Sequence, residues 1–269
     1  MQTFYTKLAD EAYFSLPFLS QSNLKNLVSN SYAEYLSIVK ENAVIEPSDE
    51  MRIGTIMHSL NLENANLEAI KTFKRLDGRT TDGKLQKKEI SGLRSYLFED
   101  EIEKIKTMSD LYKASFPAQA LMSKSNHIEE YGVAEIFNEP NPDNKIHMKF
   151  KPDLVGDDFI ADYKTHSGYN TDENLRSILK KRDYPFQAAS YLILDSIITG
   201  TMKQNFYFIF QQTIEPYGVR VVRLENFLID LAVDRFDKAI KKFIQAINEP
   251  EKYTNPNYTE VNDIGLSYY

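Results

Sequence analysis

The hydrophobic pattern begins helical. Across residues 20–40, Leu24, Leu27, Val28, Tyr32 and Tyr35 recur at helical spacing, and Ser20 or Ser22 stands where an N-cap belongs. Residues 51–62 repeat the pattern with Ile53, Ile56, Met57 and Leu60. Residues 77–83, Asp-Gly-Arg-Thr-Thr-Asp-Gly, read as an exposed loop, and 91–122 turn helical again through Leu93, Tyr96, Leu97, Ile102, Ile105 and Met108. The period then changes. Residues 131–137 read as a strand, 138–144 as a turn cluster, 145–155 as a second strand with Ile146, Met148 and Phe150 alternating, 156–158 as a tight turn and 159–164 as a third strand. After a looser stretch at 165–172, residues 184–198 form a buried helix. Residues 205–212 and 217–224 form a hairpin around Glu215-Pro216, and 227–247 an amphipathic helix before an irregular tail. This order predicts an α/β (α+β) core, with a mixed central sheet flanked by helices.

Composition narrows the chemistry. A chain of 269 residues with 42% hydrophobic positions is expected to form one elaborated domain. That domain divides into a helical part at about 1–125, a core at about 126–250 and a tail at 251–269. The sequence has no apolar run of membrane-spanning length and no signal-peptide start, so a soluble, cytoplasmic protein with no membrane partner is expected. With no cysteine, disulfides, thiolate nucleophiles, cysteine-held zinc and iron–sulfur clusters are excluded. Four histidines leave any metal site to rest on carboxylates, which favours Mg²⁺ or Mn²⁺. The net charge of −7 opposes a phosphate-rich partner, but residues 71–88 carry seven basic residues against two acids. A local basic surface can therefore sit on an acidic whole, although such a run also reads as a solvated loop.

The densest chemistry lies in residues 151–164. Asp153 and Asp162 fall on successive strands joined by a tight turn, which can bring them side by side. Adjacent carboxylates repel unless a cation sits between them. Lys164 is two residues beyond Asp162 and so shares its strand face. The set suits phosphodiester hydrolysis: a metal polarises the phosphate and lowers the pKa of a water, while Lys164 positions or deprotonates that water or neutralises developing charge. The backbone carbonyl of Tyr163 offers a further oxygen ligand. Gln187 and Tyr191, four apart on an apolar helix, need a hydrogen-bonding reason to be there. It is either a structural pairing or contact with the site. His58 lies one turn beyond Gly54, which permits close backbone approach; a histidine on an apolar helix otherwise serves packing. Glu135 is an acid in an apolar strand, for which a metal is one possible partner.

Taken in order, these residues resemble the RecE-type exonucleases (exonuclease VIII and phage or prophage recombination nucleases) of the PD-(D/E)xK superfamily. The resemblance is carried by Leu19-Ser20-Gln21-Ser22-Asn23-Leu24-Lys25, Gly54-Thr55-Ile56-Met57-His58, Arg79-Thr80-Thr81-Asp82-Gly83-Lys84, Glu135, Pro152-Asp153, Asp162-Tyr163-Lys164-Thr165 and residues 184–191. It implies a restriction-endonuclease-like core and a metal-dependent double-strand DNA exonuclease that degrades one strand 5′ to 3′. The 3′ overhang would pass to a single-strand annealing protein, and a ring-shaped homo-oligomer would thread double-stranded DNA ends. In that reading His58, Asp153, Asp162, the Tyr163 carbonyl and Glu135 surround Mg²⁺, with Mn²⁺ able to substitute. Asp153, Asp162, Lys164, Gln187 and Tyr191 form the catalytic set, and Arg75, Arg79 and Lys84 contact DNA. The acidic balance and the tail from Tyr253 depart from the pattern. A restriction-like endonuclease and a catalytically inactive DNA-binding or assembly protein on the same fold are the rival readings.

Overall fold

A computed structural model describes residues 4–29, 48–93, 95–136, 145–249 and 251. The second half of the expected helix at 20–40, the turn cluster at 138–144 and the tail fall outside them. The N-terminal part runs through α1 (Asp10–Ser15), β1 (Leu19–Ser20), α2 (Gln21–Ser29) and α3 (Asp49–Leu62). Next come β2 (Thr72–Phe73), α4 (Thr81–Ile90), β3 (Leu97–Phe98), α5 (Ile102–Ala114) and α6 (Phe116–Ser123). Five strands follow: β4 (Ser125–Ile128), β5 (Gly132–Ile136), β6 (Ile146–Phe150), β7 (Leu154–Gly156) and β8 (Phe159–His166). The chain ends with α7 (Asp172–Lys181), α8 (Tyr184–Thr199), β9 (Asn205–Gln212), β10 (Val219–Arg223) and α9 (Asn226–Asn248).

The central sheet has the order β10-β9-β8-β7-β4. Its middle pair, β8 and β9, is parallel from Phe159↔Asn205 to His166↔Gln212, and the other pairs are antiparallel. A parallel pair needs a crossover, and α7 and α8 supply it. A second sheet has the order β1-β6-β5. Side-chain alternation along β8 divides the core. Phe159, Ala161 and Tyr163 pack with Ile56 and Met57 of α3 and Met108 and Tyr112 of α5. Ile160 faces the other way, with Phe206, Phe208 and Phe210 of β9, under α8 and α9. Asp162 and Lys164 belong by alternation to this second face.

Several expectations are corrected. The strand expected over 145–155 is two strands in two sheets. Pro152 has no N–H for a ladder, and residues 151–153 carry the chain from β6 to β7. The expected loop at 77–83 is a turn that passes directly into α4, because the Thr80 hydroxyl accepts from the Gly83 N–H and caps a helix. The helix expected over 91–122 opens instead with β3 and a short 3-10 turn and breaks at Ser115 before Pro117. Helix α7 and strand β4 have no counterpart among the expected elements. The first is half charged, with Leu175 and Leu179 buried; the second is the short, largely polar segment Ser-Asn-His-Ile.

Candidate active site and metal centre

Three crossings of the chain build the site. On the first, α3 starts at Ser48, whose hydroxyl accepts from the Met51 N–H, and is anchored by buried Arg52, which pairs with Glu101 at 2.7 Å and Asp49 at 3.1 Å. One turn before His58, a Cβ on Gly54 would sit 3.2 Å from the Thr165 Oγ1 of β8. The missing side chain is what lets α3 lie close on that strand. His58 then reaches the strand itself: Nε2 lies 3.0 Å from the Tyr163 carbonyl oxygen, and Nδ1 lies 3.2 Å from Glu129 Oε1 and 3.7 Å from Asp153 Oδ2.

The second crossing is the end of the β4–β7 pair. Glu129, in the left-handed region with φ of 54°, donates its N–H to the Asp153 carbonyl at 3.0 Å and so faces Asp153. His58, Glu129 and Asp153 offer ligand atoms that all lie within 4.8 Å of one another. Lys151 holds Glu129 Oε2 at 2.8 Å and Asp10 at 2.9 Å, tying α1 to the site. Asp153 Oδ2 accepts the Tyr163 N–H at 2.6 Å.

The third crossing is β8 beneath α8. Asp162 Oδ1 accepts from Gln187 Nε2 at 2.7 Å, while Oδ2 lies against the Lys164 ammonium and receives no directed hydrogen bond among the described residues. Tyr191, one turn beyond Gln187, is buried against Phe150 and Phe206. Lys164 also lies over the ring of Tyr184, 5.3 Å from its centroid.

Carboxylates and cations are interleaved in the site, and each shifts the others. Burial, and then the charge of Asp162, push Asp153 up to about 8. Burial alone would lower the His58 imidazolium, but Asp153 and Glu129 outweigh it and raise it to about 9. Burial would raise Glu129, yet His58 and Lys151 hold it below the usual carboxylate range. For Lys164 burial works against the charge, and Asp162 more than offsets it, so the amine stays an ammonium. Clustered imidazole and carboxylate donors and the mutual repulsion between Asp153 and Asp162 fit a divalent cation. His58, Glu129, Asp153 and Asp162 would hold it. The Nε2–H of His58 is fixed by the Tyr163 carbonyl, which leaves Nδ1 toward the carboxylates.

The expected residues thus divide. His58, Asp153, Asp162, the Tyr163 backbone, Lys164 and Gln187 converge, with Tyr191 packed behind them. Glu135 does not join them. It alternates with buried Gly132 and Ala134, points outward, and pairs with Lys145 and, at 3.4 Å, His147. Glu129 stands in the place foreseen for it. In the sequence Glu129 is only the first of two glutamates between Ile128 and Tyr131, and the pairing with Asp153 that gives it meaning is invisible there. The arginines of the basic segment are already engaged: Arg75 with Asp100 and Glu101, Arg79 with Asp77 at 2.9 Å. Lys84 is exposed on α4.

A mixed sheet with Asp153 at a strand entrance, Asp162-x-Lys164 on the neighbouring strand and Gln187 on the helix above defines a PD-(D/E)xK nuclease fold. More particularly, the chain belongs to the family described as "PDDEXK-like domain of unknown function (DUF3799)", which matches residues 20–262. No curated protein matches it by sequence. Among solved structures it is similar to a protein from Eubacterium rectale described as "Putative exonuclease", at 14% identity and a TM-score of 0.61, over 97% of each chain. It is also similar to a "phage related exonuclease" from Haemophilus somnus 129PT, at 15% identity and a TM-score of 0.35, over 87% of this chain and 96% of that one. Among the described residues no helix is long and apolar enough to cross a membrane.

Proposed function

We propose that this chain is a divalent-metal-dependent DNA exonuclease that acts on double-strand ends. The observation that carries the reading is the convergence of Asp153, Asp162 and Lys164 with His58 and Glu129 at one partly buried point of the sheet. A bound Mg²⁺ or Mn²⁺ would supply polarisation of a phosphate oxygen and a water of lowered pKa. The chain's own residues do the rest. Lys164, an ammonium held against Asp162, neutralises the negative charge that develops on the phosphate. Gln187 fixes Asp162 through Oδ1 and so keeps Oδ2 turned toward Lys164. His58, locked between Tyr163 and Glu129, holds the approach side of the site.

The finer reading follows the RecE-type resemblance: 5′-to-3′ degradation in the cytoplasm, 3′ overhangs, a ring-shaped homo-oligomer and an annealing partner. The family membership and the Asp162-x-Lys164 geometry support a nuclease of this superfamily, and the sequence elements in order support the RecE-type branch. An endonuclease could use the same residues, since the chemistry at the scissile bond has no need of an end. The test incubates equal masses of linear and covalently closed circular duplex with Mg²⁺. Degradation of the linear form with the circles spared is expected; efficient cutting of circles would replace the exonuclease reading with the endonuclease one.

A further inference from the structure

In the expected basic segment Lys71, Arg75 and Arg79 are paired with acids, whereas Lys74, Lys84, Lys87 and Lys88 are exposed and form no ion pair among the described residues. A run of three consecutive cations stands at the α7–α8 corner, where Lys180 and Lys181 end α7 and Arg182 follows. All three are exposed, and among the described residues none forms an ion pair, whereas neighbouring Arg176 and Arg235 both do. Asp183, the acid next in the chain, is bound by Arg235 at 2.6 Å, and Glu50 of α3 lies near enough to feel the charge of Arg182 without pairing with it. The corner is also held in place. The Lys25 ammonium of α2 donates to the Arg182 carbonyl at 3.0 Å, and Asp183 takes φ of 51° as the chain turns into α8. It lies beside the chemistry as well: Tyr184, two residues beyond Arg182, has its ring against the Lys164 ammonium.

We propose that Lys180, Lys181 and Arg182 form the surface that receives the phosphate backbone of the DNA next to the scissile bond. This rests on the nuclease reading above. Successive phosphates on one strand advance by about 3.4 Å along the helix axis, so a strand with one phosphate at Lys164 carries its neighbours past this corner within a few nucleotides. Three unpaired cations on a fixed turn match such a series. They position the strand without reading its sequence, because phosphate contacts carry no base information. On a chain of net charge −7, a localised cationic corner also directs where the polyanion docks.

The test compares Lys180→Gln/Lys181→Gln/Arg182→Gln with the parent chain, both carrying Asp162→Asn so that the DNA survives. Binding of a fluorescein-labelled 20-base-pair duplex is followed by anisotropy across a salt series. Loss of three phosphate contacts lowers the slope of log K against log salt by about 2.7, roughly 0.9 per contact. Lys106→Gln/Lys113→Gln on α5 removes comparable charge elsewhere and leaves the slope unchanged. A parent that binds with a slope unaltered in the triple variant overturns the corner assignment while leaving the nuclease reading intact. A parent that binds no duplex at any salt overturns the nuclease reading itself, and the corner with it. Should the triple variant fail to fold by circular dichroism, Lys181→Gln and Arg182→Gln are measured singly, each expected to lower the slope by about 0.9.

Discussion

Removing one oxygen far from any DNA tests how the site is held. The Tyr163 side chain points away from the site into the core shared by α3 and α5, while its backbone serves the site in two directions: the N–H to Asp153 and the carbonyl to His58. Its hydroxyl donates to Gln211 Oε1 and accepts from Asn61 Nδ2 at 3.3 Å, and Asn61 in turn accepts from Ser109 at 3.0 Å. Gln211 cannot adapt to Tyr163→Phe. Its amide nitrogen is fixed by the Met108 carbonyl at 2.7 Å and the Tyr217 carbonyl at 3.3 Å, so a flip would set oxygen against oxygen. Fully buried, Gln211 Oε1 is then left without a donor, at a cost of about 1–3 kcal/mol. For a chain of this size about 2 kcal/mol lowers Tm by roughly 4–8 °C. A loosened Tyr163 backbone should also weaken divalent-cation binding by about 10–100-fold, the range for lost supporting contacts. Calorimetry reads both quantities, and adding Gln211→Met should recover part of the stability because the orphaned acceptor goes with it. A Tyr163→Phe chain with unchanged Tm and unchanged cation affinity would refute the claim that this buried network orients the site.

Three further outcomes follow from the same geometry. Glu129→Gln should weaken Mg²⁺ or Mn²⁺ binding by about tenfold or more, with Glu135→Gln close to the parent chain in a titration calorimeter; the reverse ranking would restore Glu135 as the ligand. Cation binding requires neutral His58 and ionised Asp153, whose metal-free values are about 9 and about 8, so the pair holds at least one proton at pH 7. Binding therefore releases protons, and affinity rises with pH and levels off above about 9; calorimetry in buffers of different ionisation enthalpy showing no proton release would contradict this. Lys164→Ala should lower the single-turnover rate by about 10²-fold or more with little change in DNA affinity, whereas a variant defective only in binding would remove Lys164 from the chemistry.

The sequence made the site more legible than the architecture around it. Asp153, Asp162 and Lys164 could be joined in advance because both strands of a hairpin lie close in the chain, and i to i+2 on a strand is geometry that needs no tertiary knowledge. Gln187 and His58 stood out for a different reason: polar groups on otherwise apolar helices require partners. Glu129 and Lys151 had no such signal, since charged residues beside turns are common and their role comes from β4 pairing with β7. Glu135 lies apart from the cluster because of strand phase: an acid between apolar neighbours can face either way, and only the fold decides which. The basic segment at 71–88 was visible as charge, but the pairing of Arg75 with Asp100 and Glu101 depends on α5 packing against α3, which composition does not reveal. Conversely, Lys180, Lys181 and Arg182 drew no notice until α7 placed them beside Tyr184.

In the proposed function, Asp162 and its neighbours hold a divalent cation for phosphodiester hydrolysis. The most direct measurement is nucleotide release from linear duplex DNA by the parent chain and by Asp162→Asn, each with Mg²⁺ and with EDTA, after both have been shown to share the same circular dichroism and melting behaviour. Release by the parent chain only when Mg²⁺ is present, and none by Asp162→Asn in either condition, is the predicted result. Hydrolysis that persists in EDTA, or that survives Asp162→Asn at the parental rate, would contradict it.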